Sequence, residues 1–188
     1  MYLPAEDIGA FDSFITYLYQ DRLPRFDNMG GLKSIDFEAE KFYPLFFLAE
    51  KFCLNELANR IMDAIQNYGF QHEKIPSCKD ITEIYEYTHE TSKLRTYCVL
   101  MRLYDLHISG DENAEDTEAN ATAHLASNLP DFASDIIKLQ FKNKNRFQKG
   151  NIADAQVRDD QKGFGRCFFH THAKGEICHF GNAVDGNK

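Results

Sequence analysis

Apolar residues recur at three- and four-residue spacing along most of the first 140 positions, which predicts a succession of helices. Ile8, Phe11, Phe14, Ile15, Leu18 and Tyr19 form one wide apolar face behind Asp7, a natural N-cap, and Pro24 forbids continuation. Residues 25–36 carry Gly30-Gly31 and read as a loop. In EKFYPLFFLAEKF, Pro44 suits the first turn of a helix, and Leu45, Phe46, Leu48, Ala49 and Phe52 are too many apolar positions for a surface element. After a break near Cys53-Leu54, Leu57, Ala58, Ile61, Met62 and Ile65 point inward. Glu56, Asn59, Arg60 and Asp63 point outward, and Gly69 stands as the C-terminal stop. Ser77 and Asp80 open a capped helix with Ile81, Ile84, Tyr85 and Thr88 inward. A further helix starts near Thr91 and places Leu94, Tyr97, Cys98, Met101 and Tyr104 in register. Residues 109–120, with five acids and no apolar period, read as an acidic linker. Two last helices offer Leu125, Phe132, Ile136, Ile137 and Leu139, with Pro130 at a helix start and Asp135 toward water.

The predicted fold is mainly α: a body of six or seven helices followed by a polar, largely disordered tail over 142–188. Composition supports a real core, with 43% hydrophobic residues, 16 Phe and 9 Tyr. No run of about 18 apolar residues predicts a membrane span, and the N-terminus lacks the pattern of a signal peptide. The five cysteines therefore suit a reducing cytoplasm or nucleus better than a disulfide framework. The net charge of −8 is uneven: residues 1–141 hold 12 basic and 24 acidic side chains, whereas 142–188 hold 9 and 5. An acidic body argues against nucleic acid as a partner.

The order of these segments resembles the BTB/POZ family, in its fungal form. FDSFITYLYQDRLP is similar to the third helix of that domain, LFFLAEKFCLNELANRIMDAI to the helical hairpin that follows, and TEIYEYTHETSKLR and LPDFASDII to segments further downstream. The resemblance covers about residues 5–140. It divides the chain into a partial BTB-like helical region (1–108), the acidic linker (109–120), C-terminal helices (121–141) and the tail. Met1 falls almost directly before the third helix, so the strands and two helices that open a full α+β BTB domain have no counterpart. The resemblance implies a non-enzymatic protein–protein interaction module, a scaffold or ubiquitin-ligase adaptor, with self-association or a cullin-type ligase as partner. The family's contact surfaces belong to the half without a counterpart, so no contact residue is carried over. Phe11, Phe14, Leu48, Ala49, Leu57 and Ile61 match as scaffold positions of the core. A body lacking its other half is expected to be marginally stable or rescued by a partner.

No phosphate loop, dinucleotide glycine motif or nucleophile elbow is present, and no enzyme activity is expected. Glu50 and Asp63 read as solvated, and His89 as a surface or capping residue between two helices. His107 and His124 have no sequence neighbours to work with. One stretch carries chemistry: CFFHTHAKGEICHF, residues 167–180, with Cys167, His170, His172, Cys178 and His179. Cys167, His170, His172 and Cys178 are a candidate ligand set for zinc, which takes four Cys and His donors in structural sites. Lys174-Gly175 also reads as a hairpin turn. In that register His170, His172 and His179 share one face and Cys167, Thr171 and Cys178 the other, which allows a three-His site but not Cys2His2. A loop or knuckle allows Cys2His2. A segment without metal, and a Cys167–Cys178 disulfide, complete the alternatives. The second functional reading is thus a small metal-binding regulatory module acting through its tail.

Overall fold

The computed structural model describes residues 7–23, 39–108, 112–147, 152–159 and 163–179. They form α1 (Ile8–Gln20), α2 (Ala39–Lys51), α3 (Asn55–His72), α4 (Cys78–Tyr87), α5 (Lys93–Ile108), α6 (Glu112–Asn128), α7 (Pro130–Lys142) and the single turn α8 (Lys144–Phe147). The fold is mainly α, as the apolar spacing predicts, and no strand occurs among the described residues. None of these helices is long and apolar enough to cross a membrane. The chain divides into two compact units, one running to Tyr68 and resuming at His170, the other from Gly69 to Phe169.

In the first unit, Asp7 caps α1 by accepting the Ala10 amide at 2.7 Å. The buried face of α2 comprises Phe42, Tyr43, Leu45, Phe46, Phe47, Leu48 and Ala49. This helix begins at Ala39, earlier than expected, so Pro44 lies inside it rather than in its first turn. The α2–α3 corner closes as a Schellman turn: the Leu54 amide donates to Ala49 O and the Cys53 amide to Glu50 O, both at 2.9 Å. Cys53 takes the left-handed position there, with φ 54°. Leu57, Ala58, Ile61, Met62 and Ile65 of α3 are buried as expected. Arg60 holds the end of α1, pairing with Asp21 at 3.1 Å and Glu56 at 2.7 Å and lying over the Tyr17 ring. The outer stripe of α1 differs from expectation. Ile8 is 80%, Phe11 39%, Leu18 57% and Tyr19 85% exposed, so Phe11 is not a core residue.

The second unit is built round α5, which is buried on nearly all sides, Arg95 and Arg102 included. Both arginines are absorbed by main chain and acids. Arg95 donates to Thr88 Oγ1 at 3.0 Å and to the carbonyls of Tyr85, at 2.8 Å, and Thr88. It therefore covers the carbonyls that the C-terminus of α4 leaves open. Arg102 meets Glu118 at 2.5 Å and Pro76 O at 3.2 Å. Ser77 and Asp80 make the reciprocal capping box of α4.

Four sequence readings change in this unit. Residues 112–120, read as part of a linker, are the first half of α6, because a segment rich in Ala and Glu favours helix without needing an apolar stripe. Asp135 does not simply face water: it accepts the Tyr85 hydroxyl at 3.0 Å, while Tyr85 packs edge-on against Phe132. Ile137, expected inward, is 68% exposed. Gly69 is not a stop either, since α3 runs on to His72 and turns at Glu73, φ 52°. A Cβ on Gly69 would come within 2.5 Å of Gln156 Nε2 and 2.9 Å of Lys74 O, so glycine is there for close approach. The tail also departs from the expected disorder where it is described. Ala155, Gln156, Phe164, Phe169, His170 and Cys178 are all buried. Phe164, Phe168 and Phe169 form a ring cluster, and Tyr97 meets Phe169 edge-on at 5.6 Å.

Candidate metal centre

Residues 163–179 fold without regular secondary structure, through two turns set by glycine. Gly165, at φ 96°, precedes a turn in which the Phe168 amide reaches Gly165 O at 3.3 Å. The expected Lys174-Gly175 turn is present, with Gly175 at φ 82° and the Glu176 amide on Ala173 O at 3.0 Å. Glu176 fastens it further by accepting the Ala173 amide at 2.6 Å.

The turn does not continue into a hairpin ladder. Thr171 instead gives both its main-chain groups to the side-chain amide of Asn59. Its N–H donates to Asn59 Oδ1 at 2.8 Å and its carbonyl accepts from Asn59 Nδ2 at 3.0 Å. A side-chain amide thus takes the place that a facing strand would have occupied, and the alternation that separates sulfurs from imidazoles is lost.

What replaces it is convergence. Cys167, His170, His172 and Cys178 each offer a donor atom, and these atoms all lie within 4.8 Å of one another. The division between the two compact units falls at 169/170, inside this stretch. The grouping is nonetheless local, because all four donors belong to residues 167–178 of continuous chain. His170 and Cys178 are buried, Cys167 and His172 half-buried. Cys178 Sγ stands 3.5 Å from His170 Nδ1. All four residues singled out from sequence are therefore brought together, in the loop arrangement rather than the three-His hairpin face. No disulfide joins the two cysteines.

A tetrahedral zinc centre, with Zn–S about 2.3 Å and Zn–N about 2.0–2.1 Å, spaces its donors about 3.3–3.8 Å apart. The His170–Cys178 spacing already lies in that range, and the others need a contraction of about 1.5 Å at most. Two sulfurs and two imidazoles are also the donor chemistry that zinc prefers in closed structural sites.

Two partners of the site were not legible from helical periodicity. Asp63 takes His170 Nε2 on Oδ1 at 3.1 Å and His179 Nε2 on Oδ2 at 2.7 Å. Asn59, one turn earlier on α3, makes the bracket around Thr171. Both were expected to face outward, yet Asn59 is 3% and Asp63 8% exposed. They form a buried polar stripe that continues to Gln66, and the 170–179 segment supplies polar partners to the first two. Asp63, His170 and His179 also form a second set of three converging donors. Of the other histidines, His89 bonds Thr91 at 3.0 Å just before α5, in keeping with a capping role. Cys98 lies outside this chemistry, because burial pushes its thiol far above the usual range. No family model, no curated protein and no solved structure matches this chain.

Proposed function

We propose that this protein is a non-enzymatic module that binds one zinc ion through Cys167, His170, His172 and Cys178. The observation that carries the reading is the convergence of two sulfurs and two imidazoles within 4.8 Å in a segment otherwise lacking regular structure. Four protein donors close a tetrahedral shell and leave no position for substrate, which is the signature of a structural rather than a catalytic centre. A segment with few main-chain bonds of its own gains its folding free energy from the metal. The zinc would hold residues 167–178 in shape and display the exposed Ile177 and Lys174 beside it. The test is metal analysis of the purified full chain beside Cys167→Ser and His170→Ala. About one zinc per chain is expected, with loss in both variants; stoichiometry unaffected by either substitution overturns the reading.

A second reading is favoured by α1. Its exposed stripe of Ile8, Phe11, Leu18 and Tyr19 is an apolar surface of the kind that protein partners cover. Together with the segment order, it supports a protein-interaction role of BTB/POZ type, an α+β fold whose other elements would cover this helix. Self-association is the simplest partner, with a cullin-type ligase as the adaptor alternative. Light scattering of the full chain and of Leu18→Asp tests it. A dimer that Leu18→Asp dissociates supports self-association, and a wild-type monomer at high micromolar concentration counts against it.

A further inference from the structure

We propose that Asp63 is the positioning residue that selects which nitrogen of His170 faces the metal, making Nδ1 the ligating atom. The inference rests on the zinc reading above but concerns a residue outside the four donors. An ionised carboxylate only accepts hydrogen bonds, so the 3.1 Å contact between Asp63 Oδ1 and His170 Nε2 places the ring proton on Nε2. In a neutral imidazole the other nitrogen then carries the lone pair. That atom, Nδ1, is the one 3.5 Å from Cys178 Sγ, a separation typical of neighbouring donors in a tetrahedral centre. The His170 side chain is 0% exposed, so bulk water does not compete for either nitrogen.

The carboxylate is itself held in place. Its second oxygen meets His179 Nε2 at 2.7 Å, and its helix carries the Asn59 bracket that fixes Thr171, the residue next to His170. Asn59 and Asp63 lie one turn apart on α3 and so share a face. One side chain sets the main-chain path of the ligand loop while the other sets the ring orientation. A carboxylate on the far nitrogen also raises the basicity of a ligating histidine, and removing such a partner typically lowers metal affinity about 10- to 100-fold.

The experiment uses the full chain loaded with zinc, read in two ways. A long-range proton–nitrogen correlation spectrum of the wild-type histidine rings should show His170 coordinated through Nδ1, with Nε2 protonated. Chelator competition should then give Asp63→Asn an affinity about 10- to 100-fold below wild type at unchanged stoichiometry, with part of the loss recovered in Asp63→Glu. Three results overturn the proposal: coordination of His170 through Nε2, an Asp63→Asn affinity within about twofold of wild type, or a second zinc whose binding requires Asp63, which would make it a ligand. The wild-type spectrum decides the ligating atom even if the variants fold poorly. Failure of the zinc reading itself would appear separately, as a wild-type chain that takes no zinc.

Discussion

Helix α1 and the loop 167–179 invert the usual relation between hydropathy and burial. The helix carries the more apolar sequence, yet Ile8, Leu18 and Tyr19 stand in solvent. The loop sets five Cys and His side chains among Phe168, Phe169 and Ile177, yet His170 is 4% and Cys178 3% exposed while Ile177 is 67% exposed. The lesson is that periodicity reports which face of a helix can be buried, whereas burial itself depends on what is available to cover it. Polar groups go inside wherever each finds a partner, and here α3 supplies those partners through Asn59 and Asp63.

Removing the metal should break this contrast most thoroughly. A ligand at a thousandfold excess over its Kd stabilises the folded state by about 4 kcal/mol. In a chain of this size that corresponds to a melting shift of about 10 °C. Chelation should therefore lower the thermal transition by about that amount. It should also open the 163–179 region to proteolysis while α1 cleavage is unchanged, and limited digestion with and without chelator checks this. Next in size, Asn59→Ala removes both half-buried bonds to the Thr171 main chain. It should cost about 1–3 kcal/mol in denaturant titration.

Thiol labelling sharpens the comparison without a mutation. In the zinc-loaded chain the exposed Cys53 should react with an alkylating reagent, while Cys167 and Cys178 should be protected until metal is removed. Cys98, fully buried with its thiol raised by desolvation, should stay unreactive in both states. Smallest of all, Ile8→Ser on the exposed stripe should change stability by no more than about 0.5 kcal/mol. A loss of several kcal/mol there would mean that the helix face is covered in solution.

Where local chemistry decides, the helices could be read directly. Asp7, the Ser77–Asp80 box, Pro130 and the Cys53-Leu54 corner all act where their residue types imply. The four candidate metal donors were equally visible, because Cys and His at short spacing carry their own meaning. Their arrangement was not, since it turns on whether a ladder forms after Lys174-Gly175, and that outcome is set by Asn59, more than a hundred residues away. The outward assignment of Asn59 and Asp63 failed for the same reason: a polar stripe that will meet a polar loop has the same pattern as one that meets water. Residues 112–120 were missed because helix propensity without an apolar stripe leaves no periodic signal. The loop readings at Gly30-Gly31 lie outside the described residues.

The most direct test of the proposed zinc centre is the X-ray absorption fine structure of the zinc-loaded full chain at the metal's edge. Two sulfurs near about 2.3 Å and two imidazole nitrogens near about 2.0–2.1 Å are the predicted shell. A shell of nitrogen and oxygen alone would contradict the account, because Cys167 and Cys178 would then stand outside the metal's coordination.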